Sequence, residues 1–104
     1  MNGDEILNLL KNAKGFDWNK GNIEKNWAKH KVKYKECEEI FFNQPLLVSL
    51  DEKHSTKKEK RFQALGQTGK KRKLFIAFTF RNSKIRVISA RDQNQKERRK
   101  YEKT

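Results

Sequence analysis

At Leu46 the hydrophobic period of this chain changes, and the change divides the fold in two. Before it, apolar residues recur at helical spacing: Ile6, Leu9, Leu10 and Ala13, then Ile23 and Trp27, then Tyr34, Cys37, Ile40 and Phe41. After it they alternate, as Leu46, Val48 and Leu50, as Phe62 and Ala64, as Leu74, Ile76, Phe78 and Phe80, and again from Ile85 to Ala90. Asp4 and Asn19 are placed to cap the first two helices, Gly15 stops the first, and Pro45 ends the third. Asn82-Ser83 is a short connection that turns one strand back on the next. Four successive strands with short links favour an antiparallel meander. The expected fold is therefore α+β, with N-terminal helices packed on a four-stranded antiparallel sheet and a C-terminal helix over 93–103 after a cap at Asp92. That last helix is polar, with Tyr101 as its only large apolar anchor, so weak attachment is expected of it.

A chain of 104 residues has apolar side chains for one core, and residues 1–104 read as a single domain. No apolar run approaches the ~20 residues of a membrane span, and no charged-then-apolar leader is visible. The lone Cys37 excludes an internal disulfide and fits a reducing, cytoplasmic setting; its place on an apolar stripe makes it a packing residue.

Charge is divided as sharply as hydropathy. Residues 1–52 hold eight Lys, no Arg and nine Asp/Glu, a net of −1, whereas residues 53–104 hold eighteen Lys/Arg and four Asp/Glu, a net of +14. Every Arg lies in the half that reads as sheet. A basic surface built on rigid strands is a surface for a polyanion, RNA or DNA. One sheet face is apolar enough to take the helices, and the other presents Ser49, Arg61, Gln63, Thr79 and Arg86.

RNA can be cut without a metal when its own 2′-hydroxyl attacks the adjacent phosphate. That needs a base at the hydroxyl, cations on the phosphoryl oxygens and an acid for the leaving oxygen. Arginine suits the second role, because its planar fork grips two oxygens and keeps its charge. Arg61 and Arg86 alternate out of phase with the apolar face, and Arg91, at a strand end, needs a bulge or bend to join them. The competing reading is that all three only solubilise the sheet. For proton transfer the basic half offers Glu59 and His54. Glu59 sits among Lys57, Lys58, Lys60 and Arg61, which weakens it as a base and makes orientation of Arg61 an equal reading. An imidazole titrates near neutrality and suits either proton role, although a lone loop histidine is as readily a plain surface group. His30, at a helix end, reads as a cap or packing group. His, Cys and carboxylates do not cluster, so no metal site and no cofactor is expected.

Trp18, in a short extended segment, is placed to stack on a base, with core packing as the competing reading; Trp27, at helical spacing from Ile23, reads as core. Lys25, with Lys20 and Lys29, stays solvated on its helix. The runs Lys70-Lys71-Arg72-Lys73 and Arg98-Arg99-Lys100 should add sequence-independent, salt-sensitive attraction to RNA.

These residues carry a resemblance. Phe16-Asp17-Trp18-Asn19-Lys20, Lys25-Asn26 and Lys29-His30 before Val32, then Asp51, His54, Glu59, Arg61 and Gly66, and finally Ile85-Arg86-Val87-Ile88-Ser89-Ala90-Arg91 with Glu97-Arg98 and Tyr101, resemble the BrnT family of bacterial toxins over about residues 16–102. The resemblance implies a RelE-like ribonuclease that cleaves RNA and halts translation. It also implies inhibition by a small ribbon-helix-helix antitoxin of the BrnA kind. Such an antitoxin dimerises, so the natural assembly is a 2:2 heterotetramer that meets operator DNA only through the antitoxin. Lys31 stands where the family usually has Gly, and residues 1–15 extend beyond the pattern. Two other readings of the basic sheet stay open, a non-catalytic RNA-binding or ribosome-associated module and a DNA reader. The second usually needs a well-anchored recognition helix, and the basic helix here has little to anchor it.

Overall fold

The computed structural model describes residues 1–104. Its elements follow the two halves of the sequence: α1 (Gly3–Lys11), α2 (Lys20–His30) and α3 (Tyr34–Ile40), then β1 (Leu47–Asp51), β2 (Arg61–Gln67), β3 (Lys73–Arg81) and β4 (Lys84–Asp92), then α4 (Gln95–Glu102). The strands pair antiparallel in the order β1-β2-β3-β4. Asn82 and Ser83 both take left-handed backbone, at φ 52° and 64°, which is the twist that a two-residue hairpin requires.

The inner face of the sheet and the helices form one core. Phe62, Ala64, Leu74, Ile76, Phe78, Ile85, Val87 and Ala90 meet Ile6, Val32, Cys37 and Ile40 there. Phe78 is edge-on to Phe41 and Phe80 and stacks with Phe62, at centroid distances of 5.2 to 5.8 Å. Burial pushes the Cys37 thiol up to about 12, helped by nearby Glu36, so the group stays a neutral core thiol. Gly66 lets α3 close on β2, because a Cβ there would lie 2.9 Å from Ile40 Cβ. No helix is long and apolar enough to cross a membrane.

Several helix details differ from expectation. Asn2 rather than Asp4 caps α1, and Asn12 rather than Gly15 ends it, because the Asn2 side chain reaches the main chain of Glu5 while Glu5 reaches back. Asn94 rather than Asp92 caps α4, by the same reciprocal arrangement with Glu97. Trp27 is not core. It is 46% exposed, under the ammonium of Lys31 at 5.0 Å. The buried residues of α2 are polar, Asn22 and Asn26. β4 is an edge strand, and α2 takes the place of a further strand beside it. Asn22 Nδ2 donates to Val87 O at 3.2 Å, and Ala90 N donates to Asn26 Oδ1 at 3.0 Å. A helix lying along a strand edge has to supply hydrogen-bonding groups rather than methyls.

α4 is held more firmly than its composition implied. Tyr101 is buried and donates its hydroxyl to Pro45 O at 2.6 Å, while Arg91 grips Glu97 with both terminal nitrogens at 2.8 and 3.0 Å.

Candidate active site

Strand alternation decides what the outer face carries, and a bulge decides which arginines share it. Arg61 lies opposite Asp51, Phe62 opposite Phe78, and Thr79 opposite Arg86, so Asp51, Arg61, Thr79 and Arg86 form one row across four strands. At about 4.8 Å per strand, the Arg61 and Arg86 backbones stand about 10 Å apart. The next row holds Ser49, Gln63, Ala77 and Ser89, and the one beyond it Leu47, Leu65, Phe75 and Arg91. Between Ala77–Ser89 and Phe78–Val87 the register slips and Ile88 is passed over. That bulge turns Arg91 onto the face of Arg86, which a regular strand would deny it. The small Ser49, Ala77 and Ser89 of the middle row leave a floor between Arg61 and Arg86 on one side and Arg91 on the other.

Each arginine arrives with a carboxylate that fixes its direction. Glu59 bridges Arg61 and Arg81, at 3.0 Å from Arg61 Nε and 3.2 Å from Arg81 Nη2. Burial alone would raise the Glu59 carboxyl, but hydrogen bonds and charge from both guanidinia outweigh it and hold it below the usual range. Arg86 donates to Asp17 O at 3.4 Å and faces the Asp17 carboxylate at 3.5 Å. Arg91 lies over the Phe75 ring, 4.1 Å from its centroid, while held by Glu97. Burial works upward on Glu97, and the bonds from Arg91 and the Asn94 main chain win, so its pKa is lowered.

His54 is at the other end of the first row. Its Nδ1 is 2.8 Å from Asp51 Oδ2, and its side chain is 62% exposed against 12% for Asp51. Asp51 accepts from the His54 main chain as well. Burial pushes the Asp51 carboxyl up, but these bonds and one from Gln63 more than offset it and keep Asp51 charged. The Asp51 carboxylate on Nδ1 fixes the ring and leaves Nε2 as the nitrogen open to solvent. Asp51 and Asp17 were not singled out from sequence for a role. Asp51 is three residues before His54 at a strand end, a local signal, whereas Asp17 meets Arg86 across 69 positions and was marked only by its place in the family pattern.

The remaining candidates scatter. Trp18 donates Nε1 to Glu38 at 2.8 Å and is edge-on to Tyr34, partly buried against the core. Thr79 is only 1% exposed, and its hydroxyl is satisfied by donating to Lys60 O across the strand end. Arg72 does not join the arginine face. It bonds Asp92, Glu36 and the carbonyls of His30 and Lys31, closing the C-terminal end of α2. Hydrogen bonding to Asp92 raises Arg72 further and lowers Asp92 in return. Lys31, where the family pattern has Gly, takes the left-handed position after α2 at φ 54°. Lys25, Lys70, Lys71 and Arg98 are exposed, Lys25 on α2, the two lysines in the β2–β3 turn and Arg98 on α4.

A family model described as ribonuclease toxin, BrnT, of type II toxin-antitoxin system matches residues 18–97. The matched region runs from Trp18 through every strand to Glu97 and leaves out α1. No curated protein matches the sequence.

Proposed function

This chain belongs to the BrnT family, the ribonuclease toxins of type II toxin-antitoxin systems, and we propose that it cuts RNA on the outer face of its sheet by letting the RNA's own 2′-hydroxyl attack the neighbouring phosphorus. The observation that carries this reading is the shared face of Arg61, Arg86 and Arg91 produced by the β4 bulge. In the proposed reaction the 2′-oxygen forms a bond to phosphorus and the bond to the 5′-oxygen breaks. Arg61 and Arg86 hold the non-bridging oxygens as charge builds on them, and Arg91 holds the next stretch of backbone. His54, fixed by Asp51, takes the proton of the 2′-hydroxyl or gives one to the departing 5′-oxygen, and water serves at the other oxygen. Glu59 orients Arg61 rather than acting as a base, in keeping with its two guanidinium partners. Lys25, Lys70, Lys71 and Arg98 add salt-sensitive attraction to the backbone.

Cutting messages stops translation, and the family's protein antitoxin restrains the chain in the cell. We take that antitoxin to be a ribbon-helix-helix dimer carrying two toxins, with operator DNA bound by the antitoxin alone. One observation favours a non-catalytic RNA-binding module instead: Arg61, Arg86 and Arg91 all have carboxylate partners already. Expression of the chain alone in bacteria separates the two. The toxin reading predicts growth arrest and fragmented RNA, both reversed by the co-expressed antitoxin. Intact RNA beside folded, RNA-bound protein would leave only the binding module.

A further inference from the structure

We propose that the cleft between α1 and the end of the sheet next to Glu59 is a nucleobase pocket, which receives a base flanking the cut and sets sequence preference; this rests on the reading of the chain as an RNA-cutting toxin. The cleft has a volume of about 330 Å3 and is walled by Leu9 of α1 and its C-cap Asn12 and by Phe62 and Phe80 of the strands, with Lys58 and Lys60 at its mouth. That volume is at the small end of ligand sites, room for one ring system and not for a peptide helix.

Its chemistry matches a nucleotide part by part. Phe80 and Phe62 pack edge-to-face at 5.4 Å, and Phe80 remains partly exposed, so an aromatic surface faces the cleft. Leu9 is an exposed apolar residue, 40% accessible, and covers the opposite side. A base slid between them is desolvated on both faces, as sequence-tolerant stacking requires. Asn12 gives the edge contact. Its Nδ2 donates to Asn8 O at 3.0 Å, which leaves Oδ1 to accept from an amino or imino group of the base. The phosphate side is equally defined, because Lys58 and Lys60 are exposed and Glu59 between them is already matched by two arginines. The mouth is therefore net cationic. Glu59 links the cleft to the end of the arginine row, since its carboxylate lines the cleft and holds Arg61 from the other side of the strand end. A base in the cleft has its phosphate at the mouth, between Lys58 and Lys60. α1 lies outside the matched region 18–97, so one wall of this pocket comes from residues 1–15 and gives them a role.

The test uses the four 3′-nucleoside monophosphates as probes, titrated into the full chain and followed by NMR, together with a map of cut positions on one long RNA. Binding of at least one nucleotide should shift the Leu9 methyl and Phe80 ring resonances. Leu9→Trp, which fills the cleft from an exposed position, should weaken that binding about tenfold or more and redistribute the cut positions. Arg86→Ala should keep the nucleotide shifts even where cutting is lost. Shifts that avoid Leu9 and Phe80, or a Leu9→Trp variant with unchanged affinity and cut positions, would overturn the pocket. So would shifts at these residues on adding antitoxin but none with nucleotides, since the cleft would then serve the protein partner. Nucleotide binding in the cleft by a chain that cuts no RNA would uphold the pocket and remove the catalytic reading instead.

Discussion

Replacing Arg86 or Arg61 with alanine is expected to lower RNA cleavage by about two orders of magnitude or more while the protein stays folded. A guanidinium that meets phosphoryl charge mainly in the transition state lowers the barrier by roughly 3 kcal/mol, and removing it raises the barrier by as much. Arg86 is the more telling of the two, because its side chain is mostly buried against Asp17 and cannot swing far from the face. Arg86→Lys keeps the charge but loses the fork, so it should recover only part of the rate. Lys70→Ala, in the exposed β2–β3 turn, removes one screened contact with the backbone and should cost a few-fold at most. Single-turnover cleavage, with a thermal melt for each variant, measures both effects. Full rates in Arg61→Ala and Arg86→Ala beside a dead Lys70→Ala would move the site off the sheet.

Asn26→Leu is expected to destabilise the fold by about 1–3 kcal/mol, a fall of roughly 5–15 °C in melting temperature, although leucine is the more apolar residue. Asn26 is buried, its Oδ1 accepts from Ala90 N, and its Nδ2 donates to Asn22 O at 2.9 Å. Leucine of similar size leaves the Ala90 N–H without a partner in a place water does not reach. The effect should extend to function. The stretch from Val87 to Ala90 is the bulge that aligns Arg91 with Arg86, so cleavage should fall at temperatures where the variant is still folded. Hydrogen exchange at the Ala90 amide gives the local readout. An unchanged melting temperature together with unchanged protection at Ala90 would mean that α2 does not hold the bulge.

These two residues also mark where the sequence was legible and where it was not. The switch of period at Leu46 determined the α+β layout, and Asn82-Ser83 determined the last hairpin, because both are local patterns in which neighbours in sequence decide the geometry. Arg61 and Arg86 were readable on the outer face by alternation alone. Arg91 was readable only as needing a bulge, since register slips are decided by what packs on the strand. The partners of that bulge, Asn22 and Asn26, were given no place in the packing, and Trp27 looked like core; a helix that covers a strand edge inverts the usual amphipathic rule. Arg72 was hidden in a run of like charges, and its bonds go to residues 20 to 42 positions away. Glu59 was weighed from its cationic neighbours as equally a base or a group orienting Arg61, and which of its partners it meets, Arg61 and Arg81, became visible only in the fold.

The central claim is that an arginine-lined sheet face cuts RNA through the substrate's own 2′-hydroxyl, and the chemical ends of the fragments test it most directly. Purified chain is incubated with a single-stranded RNA in excess EDTA, and the fragment termini are identified by mass spectrometry. Attack by the 2′-oxygen with loss of the 5′-oxygen leaves a 2′,3′-cyclic phosphate on one fragment and a 5′-hydroxyl on the other, and those ends are the predicted result. Fragments bearing 5′-phosphate and 3′-hydroxyl ends, or cutting that disappears with the chelator and returns with a divalent metal, would contradict it.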